Sequence, residues 1–470
     1  MVSISLLNKK HRSSSIWHNF CITLNNNKSP PIVCLRGITM SIMSKLNTSI
    51  KLTCLAIGLF TTNLIYAAEN TIKIGVLHSL SGSMAISEST LKDTLLMLVD
   101  EQNKKGGVLG KQIEAVVVDP ASNWSLFSEK ARELLAKDKV SAVFGCWTSV
   151  SRKSVLPIFE ELNGILFYPV QYEGEESSKN IFYTGAAPNQ QAIPAVDYLK
   201  KEFNIERWVL VGTDYVYPRT TNKILETYLK DHYGVKDIDI MINYTPFSHS
   251  DWQSIIADIK KFGTTGKKTA VISTINGDAN VPFYKELSNQ GITANQLPVI
   301  AFSVGEEELS GIDTAPLVGH LASWNYFQSI DNDLNAEFID NWHSFTKSDK
   351  RVTNDPMEAT YIGFNMWVKA VEKAGTDNPT AVQNALIGVT VPNLSGSYAV
   401  MMPNHHITKP IMIGEIQNDG QFEVVYKSAG TIVGDEWSDY LPGSKSMIAD
   451  WRAPLACGKY DVSKKVCLKD

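Results

Sequence analysis

Between residues 143 and 174 the chain reads VFGCWTSVSRKSVLPIFEELNGILFYPVQYEG, and its polar and aromatic side chains gather in two short turns. The first turn carries Trp147, Thr148 and Ser149; the second carries Tyr168, Val170, Gln171 and Tyr172. HSLSGS offers Ser79 and Ser81, TDYVYPR sets Tyr215 and Tyr217 two residues apart, and TINGDAN supplies Asn276 and Asp278. Tyr and Trp give flat walls with a polar tip. Ser and Thr hydroxyls can donate to a carbonyl, while Gln171 and Asp278 can accept from N–H groups. Together these types suit a small, neutral, planar polar ligand. A lone Tyr or Trp is ordinarily core packing, but five such turns, each following an apolar run, mark a cleft. Arg152, Lys153 and Arg219 are the nearby cations and read as salt-bridged or solvated helix surface, outside the pocket.

Catalytic patterns fail on spacing. Gly145 and Ser149 are four apart, so no nucleophile elbow of the GxSxG kind forms. GTTGKKT lacks the upstream glycine of a phosphate loop and has Lys268 where a hydroxyl is required, so it reads as a turn before a strand. His405-His406 has no carboxylate or third imidazole at metal spacing and reads as a solvated hairpin connection. Cys146 and His78 lack an orienting partner, and Cys146 after an apolar run is expected as a buried free thiol. A binding protein without metal or cofactor is the expectation.

The elements that must position these turns alternate regularly. Apolar runs begin near residues 71, 112, 141 and 165, the first three each followed by a segment with apolar residues at helical spacing and the last by the loop that carries Tyr168, Gln171 and Tyr172. Asn123 can cap the helix that follows it, and Gly106-Gly107 stops the one before. A second series starts after Pro188, with Pro218 in the first turn of one helix and Gly234 at its end. Strand and helix alternating in this way give a parallel sheet covered on both faces, and turns at the carboxyl ends of its strands are where ligands settle. The expected fold class is α/β, with two Rossmann-like lobes joined by a multi-strand hinge. Late strands near SGSYAVMMP, KPIMIGEIQ and FEVVYK read as antiparallel, with Asn418-Asp419-Gly420 as a hairpin turn. The expected lobes are residues 69–190 with 326–402, and 191–325 with 403–445; residues 446–470 form a tail.

A chain of 470 residues is too long for one core. Seven of its 44 Lys and Arg precede residue 68 and no acidic residue precedes Glu69, so the remainder is net about −12 against 49 acidic residues. An acidic body argues against a nucleic-acid surface. The basic leader, the apolar run at 52–65 and Ala67-Ala68 read as an export signal within residues 1–67, with the first 42 residues a dispensable extension. After cleavage Cys146, Cys457 and Cys467 remain; in an exported protein Cys457 and Cys467 read as a disulfide closing a short loop.

The motifs GVLHSLSGSMAISE, FGCWTSVSRKSVLP, LFYPVQYEGEESS, AAPNQQAIPAVDYL, GTDYVYPRTTN, STINGDANVPFY and PNHHITKPIMIGEIQ span nearly the whole expected mature chain. Over that length the sequence resembles the periplasmic substrate-binding proteins of urea ABC transporters, within the type I family that also binds branched-chain amino acids and amides. The resemblance implies a monomeric, hinged periplasmic protein that closes on urea and delivers it to membrane permease subunits. Amide-contacting positions of related cytoplasmic amide sensors fall on Trp147, Ser149, Tyr168, Val170, Gln171, Tyr215 and Tyr217, with Val170 and Gln171 standing where those sensors carry Thr and Pro. Ser149 and backbone N–H groups are then expected on the ligand carbonyl, and Gln171 and Asp278 on its amino groups. Short-chain amides or branched-chain amino acids as ligand, or an amide-sensing regulator, are the competing readings.

Overall fold

The computed structural model describes residues 71–264 and 266–441, with the short strands Ser3–Leu7, Asn19–Thr23, Tyr460–Asp461 and Val466–Cys467 beyond them. Met1–Asn70 is a compact unit separate from Thr71–Asp470, and within it Ser3–Leu7 pairs antiparallel with Asn19–Thr23. The expected leader cleavage and the Cys457–Cys467 disulfide fall outside the described residues.

Within the larger unit the first sheet is built from β1 (Thr71–Leu77), β2 (Gln112–Val118), β3 (Ala142–Gly145), β4 (Leu166–Tyr168) and β5 (Ile181–Tyr183). All pairs are parallel, in the order β2-β1-β3-β4-β5. The crossovers are α1 (Ala85–Lys104), α2 (Trp124–Arg132) and α3 (Ser149–Glu161). Asn123 caps α2 as expected, its side chain accepting from the N–H groups of Ser125 and Leu126 at 3.0 and 3.1 Å. The core stacks Phe167 between Phe144 and Phe182, at 4.9 and 5.5 Å between ring centres, and sets Trp367 edge-on to Phe144. Trp367 comes from α10 (Asp355–Ala374), which lies with α9 (Asp333–Thr346) and α11 (Pro379–Leu386) late in the chain yet packs on this sheet.

The second sheet has seven strands. β6 (Arg207–Thr213), β7 (Ile240–Thr245), β8 (Thr269–Thr274), β9 (Val299–Ala301) and β10 (Leu321–Trp324) are parallel, in the order β10-β9-β8-β6-β7. β6 and β8 are buried along their whole length, the reason RWVLVGT and TAVIST read as continuous runs rather than alternating ones. Its helices are α4 (Ala192–Phe203), α5 (Val216–Tyr233), α6 (Gln253–Gly263), α7 (Asn280–Asn289) and the single turn α8 (Glu306–Leu309). After the short strands β11 (Thr390–Pro392), β12 (Tyr398–Val400) and β13 (Thr408–Lys409), β14 (Met412–Ile416) adds antiparallel to β10, and β15 (Phe422–Lys427) adds antiparallel to β14 at the edge. Gly420 at φ 79° makes the hairpin turn expected between β14 and β15.

The chain passes between the sheets three times, near Gln190, Asn325 and Pro410, and one side chain ties the three passages together. The Asn325 amide donates to the Gln190 carbonyl at 3.0 Å and to the Pro410 carbonyl at 2.6 Å. Beside it, buried Lys409 lies 3.7 Å from Asp355 and 3.4 Å from Glu358. The segment after β16 (Ile432–Val433) forms a strap. Its Glu436 carbonyl accepts from Glu175 N–H at 2.6 Å and its Ser438 N–H donates to the Glu175 carboxylate at 2.8 Å, while Tyr440 packs edge-on to Tyr228 of α5 at 4.8 Å.

Candidate ligand-binding cleft

The carboxyl ends of both sheets face each other, and the turns singled out in the sequence converge there. At the end of β3 a Cβ on Gly145 would meet the Leu77 carbonyl oxygen at 2.4 Å, so only glycine lets β3 run this close to β1. Cys146 follows in the left-handed region at φ 67°. That bend delivers Trp147 to the cleft and starts α3, where Thr148 is the cap, its hydroxyl accepting from Ser151 N–H at 3.1 Å. The N–H groups of Ser149 and Val150, the first residues of α3, precede the first hydrogen bond of the helix and have no partner within it. Tyr168, at the end of β4, donates its hydroxyl to the Trp147 carbonyl and so locks the two first-lobe turns together. Val170 is buried against Gly185, where a Cβ would lie 2.1 Å from the Val170 carbonyl.

Hydrogen bonds from both first-lobe turns reach the second lobe across this cleft. Trp147 Nε1 donates to Asn276 Oδ1 at 3.4 Å, and Gln171 Nε2 donates to the Ser303 hydroxyl at 2.6 Å. Gly277, at φ 67°, brings its turn so near the first lobe that a Cβ would sit 2.8 Å from the Ser83 carbonyl oxygen. Tyr215 and Tyr217 close the wall from the start of α5, with Tyr215 packed on Phe247 at 4.9 Å. Trp147, Gln171, Tyr215, Tyr217 and Ser303 are 3%, 3%, 4%, 2% and 2% exposed, so the described conformation is closed. Two buried polar atoms in this closed cleft have no protein hydrogen bond: Gln171 Oε1 and the Tyr217 hydroxyl. The Tyr217 hydroxyl lies beside Ser303 and Gln171 without a well-formed bond to either.

Four expectations are corrected. Asp278 is exposed and accepts from the Ser248 hydroxyl at 3.0 Å, because the left-handed Gly277 throws it outward; Asn276 is the residue of that turn facing the cleft. Ser149 is buried, but its hydroxyl donates to Glu173 and accepts from Arg152 Nη1 at 3.1 Å, so its single proton is not available to a ligand carbonyl. Arg152 and Lys153 are not helix surface. They form a fully buried cluster with Glu173 and Glu176: Arg152 Nη2 to Glu173 at 3.1 Å, Arg152 Nε to Glu176 at 2.8 Å, Lys153 to Glu176 at 2.5 Å. The guanidinium lies over Tyr168 and Tyr172 at 4.6 and 4.5 Å. Burial works against each charge, yet the carboxylates hold Arg152 protonated well above its usual range, and the two cations hold Glu176 at about 2. Lys153 is pulled down to about 8, burial outweighing its partners. His406 is likewise buried, stacked on Tyr183 at 4.5 Å and hydrogen-bonded to the Tyr172 hydroxyl, rather than solvated. Among the described residues no group of three or more His, Cys, Asp or Glu could hold a metal ion.

The turn that carries Ser303 continues into Glu306, Glu307 and Glu308, and Glu308 accepts from the Ser87 hydroxyl of α1 at 2.7 Å. Burial pushes Glu306 up to about 8 and Glu307 to about 7; Glu358 beside Lys409 is also raised, to about 7. In the unfolded chain these carboxyls titrate near 4.5, so the folded state holds more protons between that value and 8 and loses stability as pH rises through the window. His320 and His406, lowered by burial to about 4, oppose this only below about 6.5. Stability is therefore expected to fall by about 2–3 kcal/mol between roughly pH 6.5 and 8. Glu306→Gln should flatten that slope in thermal unfolding, and an equally steep slope in the variant would exclude Glu306 as its source.

Two α/β lobes with polar and aromatic turns at facing strand ends and three passages between them are the type I periplasmic binding protein fold. The chain belongs to the periplasmic binding protein domain family, whose model matches residues 72–443. It is 23% identical over 388 residues to a Leu/Ile/Val-binding protein homologue of Brucella melitensis, covering 78% of this chain and 94% of that one. Among solved structures it is similar to an ABC-transporter solute-binding protein of Rhodopseudomonas palustris HaA2 in complex with p-hydroxybenzoic acid (TM-score 0.67, 21% identity, 78% of this chain and 98% of that one). A leucine-binding protein of Thermotoga maritima MSB8 superposes with a TM-score of 0.64 at 17% identity, covering 76% and 98% of the two chains.

Proposed function

We propose that this chain is a monomeric, extracytoplasmic substrate-binding protein, not an enzyme, that closes its lobes on urea and hands it to the permease of an ABC transporter. The observation that carries the reading is the pair of unmatched buried atoms in the closed cleft, Gln171 Oε1 and the Tyr217 hydroxyl. One accepts from an N–H and the other can donate to a carbonyl, and the direct Trp147–Asn276 and Gln171–Ser303 contacts limit a ligand held there to few atoms. Urea has both functions on one plane. The names of the relatives raise amino acids and aromatic acids as competitors, and each would bring a carboxylate. The cations nearest the cleft are already ion-paired: Arg152 and Lys153 with Glu173 and Glu176, Arg219 with Asp214 at 2.5 Å.

With four heavy atoms at a ceiling of about 1.5 kcal/mol each, urea can gain about 6 kcal/mol, a Kd of tens of micromolar. Calorimetry with urea, acetamide, leucine and p-hydroxybenzoate is expected to give urea the tightest binding, near that ceiling. Tighter binding of leucine or p-hydroxybenzoate, or release of ammonia from urea by the pure protein, would overturn the reading.

A further inference from the structure

We infer that Glu173 sets the chemical class of the ligand, accepting from its N–H groups and excluding carboxylates. The inference rests on the reading of the cleft as a urea site. Glu173 is wholly buried. Its Oε1 accepts from Arg152 Nη2 at 3.1 Å with Lys153 at 3.7 Å, and its Oε2 accepts from Ser149, the first residue of α3. A carboxylate offers about four lone-pair directions, so these partners leave acceptor capacity unused. Ser149 follows Trp147 and Thr148 in the first-lobe turn that lines the cleft, so Glu173, bonded to the Ser149 hydroxyl, stands against the start of α3 beside that turn.

Glu176 makes the contrast. Its bonds go to Arg152, Lys153 and the Tyr183 hydroxyl at 2.7 Å, all in the first lobe and behind the cleft. Within one ion cluster, one carboxylate is structural and the other faces the ligand. A ligand carboxylate entering beside Ser149 would meet Glu173 at close range, with the hydroxyl and guanidinium that could have received it already engaged. A neutral amide meets an acceptor.

Acetamide and acetate share a shape and differ in this chemistry, so their ratio of affinities is the readout. The wild-type protein should bind acetamide and not acetate. Glu173→Gln frees part of Arg152 and removes the repulsion, and should lower the acetamide-to-acetate preference by about tenfold or more. Glu176→Gln should leave the preference as it was. An unmoved ratio in Glu173→Gln with a normal melting curve overturns the inference, as does an equal shift in Glu176→Gln. Should Glu173→Gln fail to fold, Glu173→Asp keeps the charge but draws it back by one methylene. It should then weaken urea and acetamide while acetate stays excluded, and unchanged amide affinity would be fatal. A wild-type protein that binds neither urea nor acetamide sinks the urea reading and this inference with it; wild-type amide binding with an unmoved ratio sinks this inference alone.

Discussion

Replacing Arg152 by methionine should destabilise the protein by about 3–5 kcal/mol, the cost of removing one member of a buried ion cluster. The guanidinium neutralises two carboxylates that have almost no contact with water: Glu173 and Glu176 are 0% and 1% exposed. Lys153 alone would then face both, and Tyr168 and Tyr172 would lose the cation between their rings. Methionine restores volume but none of the charge, so the loss isolates the electrostatic part. The measurement is a guanidinium chloride unfolding curve, since urea as denaturant would also be the proposed ligand. A lower midpoint at unchanged slope is the expected result. A midpoint like that of the wild type would show that the cluster contributes no net stability.

Gln171→Leu should weaken urea binding by roughly 30- to 1,000-fold, corresponding to about 2–4 kcal/mol. The substitution removes two things at once: the acceptor Oε1, which has no protein partner, and the Nε2 donor that reaches Ser303 in the other lobe. The Ser303 hydroxyl would be left buried against a methyl group. Because Gln171 sits in a loop rather than in either core, the melting temperature without ligand should change little. Calorimetry that finds urea affinity within threefold of wild type would remove Gln171 from the site.

The alternation of strand and helix was legible because parallel strands buried on both faces leave continuous apolar runs, and because Asn123 and Gly234 punctuate the helices as their chemistry requires. The cleft was legible as a set of turns, not as a set of inward-facing atoms. Periodicity cannot tell which side of Gly277 turns in, and there the left-handed backbone exchanged the roles of Asn276 and Asp278. The ion cluster joins residues 21 to 24 positions apart through a loop without regular spacing. One signal did exist. Arg152, Val155, Leu156 and Phe159 recur at helical spacing and are all buried, so Arg152 lay on the apolar stripe of α3 and had to find a partner inside. The leader and the C-terminal disulfide fall outside the described residues, and the lobe limits drawn from sequence are proposals beside the two observed sheets.

The strap after β16 acts as a leash on the molecule's breathing. Ser438 is fastened to Glu175 in the ligand loop of one lobe and Tyr440 to Tyr228 in the other, with a single residue between them. Two residues of extended chain reach only about 7 Å. On the proposed reading, parting the lobes at that point requires one end of the strap to let go, so release of a ligand includes a peeling event in the strap.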